Sequence, residues 1–301
     1  MRPLYLETNF DMRFQVSSRL QYAVRFPSTL ILNIHAQKNT SQTIVEEHFS
    51  VVPNVRIEEF HLENDGNRFV RLETGRAATL EIEYSATVDC TNEMVQARGV
   101  DPISIAELDR EAIPYLFPSR YCQSDRLGKL AWDHFGQIAD PYQKVTAIEE
   151  WIHANVEYAL GSTDSETSAY DTVVQRKGVC RDFAHLGIAL CRALNIPARY
   201  FSGYAYQLSP PDFHACFESY IGGQWLIFDA TRLVPLNGLV RIGTGRDAAD
   251  AAVASIFGGA QGTSMKVDCQ LAPGETFTAL GRMQLSHKGI SLESANVTPA
   301  N

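Results

Sequence analysis

Three residues in the second half of the chain have types and spacing suited to nucleophilic acyl chemistry: Cys180, His214 and Asp229. Gly178-Val179-Cys180 places a thiol where a strongly apolar run begins. That run carries Phe183, Ala184, Leu186, Ile188, Ala189, Leu190, Cys191 and Leu194, a helix apolar all round and so expected to be buried. A thiol at a helix amino terminus meets the positive end of the dipole, which favours thiolate over a thiol whose ordinary pKa is about 8.5. The unbonded N–H groups of the same turn can receive an oxyanion, and Gly178 reads as the small residue that lets a substrate come close. A nearby imidazole can take the thiol proton, and a carboxylate on its other nitrogen fixes the tautomer.

The other two residues fall on a hairpin. Gly222-Gly223 between Ile221 and Gln224 is a two-residue turn signal, and the register it sets puts Cys216 opposite Asp229 and His214 opposite Thr231. His214 and Asp229 are then diagonal neighbours, roughly 7–8 Å apart at the backbone and within side-chain reach. One face carries His214, Cys216, Glu218, Tyr220, Trp225, Ile227 and Asp229; the other carries Phe213, Ala215, Phe217, Leu226 and Phe228, a core surface. A polar, ionisable face on an apolar hairpin calls for a functional site.

Around these segments the pattern is mixed. The first ~90 residues read as strands at 29–35, 43–49 and 78–84, β-branched and alternating, with Asn64-Asp65-Gly66-Asn67 as a turn. Residues 100–120 look helical. Asp140 caps a further helix with Pro141 at its first position and Val145, Ile148, Trp151 and Ile152 on its apolar face. Pro197 stops the helix that starts near Cys180, and strands follow at 199–207, 213–221 and 224–231. A Gly- and Ala-rich stretch, a strand near 265–271 and a loose tail of ten residues complete the chain.

Composition bounds the function. Of 301 residues, 45% are hydrophobic and 20% charged, the balance of a globular protein, and a net charge of -9 argues against a nucleic-acid partner. The amino terminus has no apolar signal core, no stretch approaches the ~20 apolar residues of a membrane span, and the six cysteines include no CxxC pair. Reduced thiols in a cytoplasmic protein, with no membrane partner, are the expectation.

The chemistry-bearing segments resemble the transglutaminase-like superfamily. Gly178-Val179-Cys180-Arg181-Asp182-Phe183-Ala184-His185 is similar to its nucleophile segment, His214-Ala215-Cys216-Phe217-Glu218 to its His strand, and Trp225-Leu226-Ile227-Phe228-Asp229-Ala230-Thr231 to its Asp strand. Gaps of 34 and 15 residues and the order Cys, His, Asp suit the family. Two departures are Cys216, where Trp is usual, and Ala230, where Pro is usual. The resemblance implies an α+β protein: an amino-terminal antiparallel β-sandwich (1–98), a papain-like transglutaminase core with its central helix on an antiparallel sheet (99–240), and an extension packing on that core (241–301). It implies Cys180 as nucleophile, His214 as general base and then acid, Asp229 as orienting carboxylate, and no cofactor or metal. Hydrolysis of a peptide or related amide through a thioester is the favoured activity. Transfer to an amine acceptor, as in a protein-glutamine transglutaminase, and a non-catalytic binding module on the same fold are the alternatives.

Other residues carry weaker signals. His185, about 140° around the helix from Cys180, is expected to be a buried structural histidine, and Asp182 to complement the helix dipole. Cys180, His214 and Cys216 lack the spacing of a zinc site, and Cys191 lies ~16 Å along the helix from Cys180. A disulfide between Cys216 and Cys180 would lock the site against turnover. Gly243-Thr244-Gly245-Arg246-Asp247-Ala248 imitates a nucleotide-binding loop without the βαβ unit it needs, and reads as a loop near the site mouth. Tyr170 and Tyr204 are candidates for a second oxyanion donor, with ordinary packing as the competing reading.

Overall fold

Alternation of inward apolar and outward polar residues builds the amino-terminal half. The computed structural model describes residues 6–62, 66–280 and 284–293. Strands β1 (Leu6–Val24), β2 (Thr29–Leu32), β3 (Gln42–Val52), β4 (Arg56–His61), β5 (Arg68–Glu73) and β6 (Thr79–Gln96) form most of two antiparallel sheets. β1 and β6 pair along nearly their whole length, with Phe14 opposite Val88, Val16 opposite Ala86 and Leu20 opposite Ile82. These side chains meet Leu30, Leu32 and Leu72 of the second sheet in one core, the expected β-sandwich. Of the turn expected at residues 64–67, Asn64 and Asp65 lie outside the described residues, as does most of the tail expected to be loose.

The core domain follows. The helix expected at 100–120 is absent: short 3₁₀ turns at Ile105–Glu107 and Ile113–Leu116 take its place, with Pro114 and Pro118 interrupting any longer run. Helix α1 (Gly128–Phe135) leads to α2 (Pro141–Asn155), where the Asp140 carboxylate caps by accepting the Gln143 N–H at 2.9 Å. After β7 (Glu157–Tyr158), α3 (Ala169–Gln175) and β8 (Lys177–Gly178) comes α4 (Cys180–Ala193), buried on every side from Asp182 to Arg192. The chain turns at Asn195, in the left-handed region (φ 61°), before Pro197. Strands β9 (Ala198–Ala205), β10 (His214–Ile221), β11 (Gln224–Phe228) and β12 (Leu239–Gly245) form a sheet in the order β11-β10-β9-β12.

Helix α4 packs on the face of this sheet that carries Ala215, Phe217, Leu226 and Phe228. The approach is close: a Cβ on Gly187 would come within 2.5 Å of the Phe217 ring. Phe213 continues this face as expected, but beyond the end of α4, where it packs with Tyr204 into the sandwich core.

The carboxy-terminal segment, expected to pack on the core, does so through Ile290 and Leu292 against Phe201 and Ile227, and it also completes the sandwich sheets. Strand β13 (Ala254–Phe257) pairs with β2, β14 (Ala260–Leu271) with β1, and β15 (Lys288–Ser291) with β6. The reason is the 19-residue β1, whose outer edge would otherwise present an unpaired ladder.

Candidate active site

The first turn of α4 fixes the thiol. Val179 has no side-chain acceptor, so the buried Asp182 closes the helix end by accepting the Val179 N–H at 2.9 Å. The same carboxylate accepts the Thr163 hydroxyl (2.6 Å) and the Arg181 guanidinium (3.0 Å), and Arg181 also donates to the Asp164 carbonyl. Loop 159–167 and the helix start are therefore one unit, and Asp182 does more than complement the dipole. Gly178 serves this packing rather than substrate access, since a Cβ there would come within 2.7 Å of Asp182 Cβ. Of the six cysteines, Cys180 alone is not buried.

His214 and Asp229 come together as the hairpin predicts. Gly222 and Gly223 both take positive φ (60° and 91°), and Ile221 pairs with Gln224 through to Phe217 with Phe228. His214 Nε2 lies 2.9 Å from Asp229 Oδ2, and Asp229 Oδ1 accepts both the Thr231 N–H (2.9 Å) and its hydroxyl (2.6 Å). The charge and polarity of the Cys180 side chain act on the imidazole, so the thiol lies near the ring, and Nδ1 has no hydrogen-bond partner among the described residues. Ring and carboxylate are thus joined, with a free imidazole nitrogen and a nearby thiol, the groups that proton transfer from sulfur requires.

The electrostatics follow from burial and charge. Burial alone would push the His214 ring down, but Asp229, with Cys216 and Cys180 nearby, outweighs it and holds the imidazole well above its ordinary value. Burial pushes against ionisation of Asp229, yet His214 and the Thr231 hydrogen bonds win and hold its carboxyl low. Burial pushes the Cys216 thiol up to about 12, so it stays protonated. Cys216 has its sulfur within 4.8 Å of donor atoms of His214 and Asp229, a grouping different from the Cys180, His214 and Cys216 set considered for zinc. A metal there would have to ionise that buried thiol and compete with Asp229 for His214.

Tyr158 was not legible in the sequence as part of this site. Its strand β7 runs parallel to β8 with Tyr158 beside Gly178, so the chain just ahead of the thiol positions its ring. The phenol lies beside the Cys180 backbone N–H, and burial, together with the Cys180 sulfur, pushes it up to about 12; it remains a hydrogen-bond donor at neutral pH. The two tyrosines that sequence did suggest are packing residues. Tyr204 is fully buried and donates to the Ile34 carbonyl at 2.8 Å, and Arg126 lies over the Tyr170 ring at 3.6 Å.

The remaining candidates are structural. His185 stacks on Tyr121 at 5.0 Å, accepts the Ala248 N–H on Nε2 at 3.1 Å, and is kept neutral by burial. Residues 243–248 are not a lip of the site: Gly243 to Gly245 end strand β12 against the amino-terminal sandwich, where Asn67 donates to the Thr244 carbonyl, and Asp247 accepts the Tyr121 N–H at 2.8 Å. The polar hairpin face also divides. Glu218 pairs with Arg199 and Arg241 in the interior, while Cys216 and Ile227 join an apolar cluster with Phe201 and Leu239. A cavity of about 580 Å³ lined by Tyr142, Ile227, Leu236 and Ile290 touches Asp229, but neither Cys180 nor His214 lines it.

A central helix carrying a cysteine at its start, packed on a sheet that supplies His and Asp, defines a papain-like thiol fold. Residues 129–230 match the core of the transglutaminase-like superfamily, and residues 12–111 match the bacterial transglutaminase N-terminal domain. A protein of Cytophaga hutchinsonii, solved under the provisional name of a cysteine protease, is 55% identical with a TM-score of 0.91, covering 94% of this chain and 99% of that one. An uncharacterized protein of Mycobacterium leprae is 25% identical over 273 residues, 85% of this chain and 96% of its own length. One from Mycobacterium tuberculosis is 36% identical over 115 residues, 33% of this chain and 36% of that one. The chain belongs to the transglutaminase-like superfamily.

Proposed function

We propose that this protein is a thiol-dependent acyl-transfer enzyme that hydrolyses a peptide or related amide bond. The carrying observation is the His214–Asp229 pair at 2.9 Å, whose imidazole senses the nearby, partly exposed Cys180. The sulfur attacks the amide carbonyl as a thiolate, with His214 holding its proton. The tetrahedral oxyanion takes hydrogen bonds from the Cys180 N–H and the Tyr158 hydroxyl. His214 gives its proton to the departing amine, the C–N bond breaks and a thioester remains. Water, losing a proton to His214, releases the acid and restores the thiol. The Cytophaga protein's name is of the same kind, which supports the reading.

Mass spectrometry of the protein exposed to a mixed peptide and amide library tests this directly. An acyl mass on Cys180, lost with time in buffer and absent from Cys180→Ala, is the expected result. No acylation of Cys180 by any amide, or turnover that persists in Cys180→Ala, would overturn it. Product release that strictly requires an added amine would assign transfer instead.

A further inference from the structure

We propose that Asp212 selects a cationic group, the side chain of a Lys or Arg next to the reacting carbonyl, so that the acyl donor is a basic peptide. The inference deepens the hydrolase reading and rests on it for the identity of the substrate.

Asp212 stands two residues ahead of His214 on the run that enters β10. Between them Phe213 turns the other way and packs on Tyr204 with ring centroids 5.4 Å apart. Extended-chain alternation therefore puts the Asp212 carboxylate on the side of His214. It is half-buried, and its charge acts on both the Tyr158 phenol and the His214 ring, so it lies near the two.

The carboxylate accepts the Phe213 N–H at 2.7 Å. Among the described residues no Lys or Arg pairs with it, and Arg181, the guanidinium adjoining the nucleophile, is committed to Asp182 and the Asp164 carbonyl. Burial accordingly lifts the Asp212 carboxyl above its usual range. The nearby His214 ring is already paired with Asp229, so this half-buried carboxylate has no ion pair of its own, an unfilled requirement. The Tyr158 ring, on which its charge acts, offers a partly exposed aromatic surface, and Leu160, two residues further along the chain, is exposed and apolar. A carboxylate, an aromatic face and an apolar patch together suit a long aliphatic stem ending in a cation.

The first arm of the test needs no substrate. Cys180 is modified with methyl methanethiosulfonate (neutral) and 2-aminoethyl methanethiosulfonate (cationic), each rate being divided by that for a small free thiol. One charge a few ångströms away changes such a ratio by about tenfold at intermediate dielectric. The cationic-to-neutral ratio is expected to fall about tenfold from wild type to Asp212→Asn and to recover in Asp212→Glu. Equal ratios in wild type and Asp212→Asn overturn the proposal. The second arm compares kcat/KM on peptides with Lys or norleucine beside the reacting carbonyl. Wild type should favour Lys about tenfold, and Asp212→Asn should lose the preference; a Lys preference that survives Asp212→Asn, or its absence in wild type, overturns the substrate assignment. If the thiol ratios shift but no peptide is cleaved, the hydrolase reading has failed while the cation site stands.

Discussion

His214 Nε2 meets Asp229 Oδ2 at 2.9 Å, and the other oxygen of that carboxylate is held by Thr231 through two hydrogen bonds. The ring is thereby fixed through Nε2, leaving Nδ1 without a partner among the described residues. Asp229→Asn keeps the shape and removes the charge that stabilises an imidazolium. A loss of about 10²–10⁴-fold in kcat is expected, with a smaller change in KM. Steady-state kinetics on any amide that acylates Cys180 would check this, and a loss under tenfold would show that Asp229 is not the orienting group.

The same pair sets a pH dependence of stability. Asp229 is held below its ordinary 3.8, so its contribution is complete above that value and is lost as pH falls through the lowered pKa. His214 is held above its ordinary 6.5, so its contribution is complete below 6.5 and is lost as pH rises through the raised pKa. The difference in unfolding free energy between wild type and Asp229→Asn should therefore be largest between the ordinary values of 3.8 and 6.5 and shrink as pH rises above 6.5 through the raised imidazole pKa. Urea titrations across this range give the comparison. A difference that grows with pH would contradict the assignment.

Six thiols compete for any alkylating reagent, and five of them are buried. Burial pushes Cys191 and Cys216 up to about 12. Iodoacetamide at pH 6 should modify Cys180 in preference to the other five, and faster than a free thiol, because His214 stays charged there. Peptide mapping identifies the site. The expectation of a Cys180–Cys216 lock fares less well on physical grounds, since the Cys216 thiol hardly ionises. Peroxide should consume Cys180 while Cys216 remains titratable after unfolding, and joint loss of both would restore the lock.

Why some of this could be read from residues alone is a matter of range. The hairpin register follows from two adjacent glycines, and the buried helix from a run of apolar residues, so Cys180, His214 and Asp229 were legible as a group. β1 was not, because Ser18 interrupts its inward row of Phe14, Val16, Leu20 and Tyr22. The pairing of β14 with β1 was hidden as well: their residues lie some 240 positions apart, and local alternation says nothing of partners. Tyr158 was missed for a similar reason, since a two-residue parallel strand has no period to detect.

Tyr158→Phe removes one hydroxyl and leaves the ring against Phe183, where the centroids are 5.8 Å apart. If the hydroxyl binds the oxyanion, kcat should fall about 10- to 100-fold with KM nearly unchanged, as for a donor used mainly in the transition state. Alkylation of Cys180 by iodoacetamide forms no oxyanion and should change little. A parallel fall in both rates would instead mean that Tyr158 positions the thiol.

Glu218 shares the hairpin face with His214 but answers to different chemistry. Its oxygens bind Arg199 (2.7 Å) and Arg241 (2.6 and 3.0 Å), and all three residues are buried. Burial opposes its ionisation, yet the two guanidinium groups prevail and hold the carboxyl at about 2. Arg199 also reaches Glu293, so the cluster ties the carboxy-terminal segment to the sheet that carries His214. Glu218→Gln leaves two buried cations short of an anion, which should cost about 3–5 kcal/mol of stability. Thermal unfolding should register this as a clear fall in Tm, while kcat measured well below the new Tm stays within a few-fold of wild type. A large loss of kcat at an unchanged Tm would move Glu218 from the scaffold into the site.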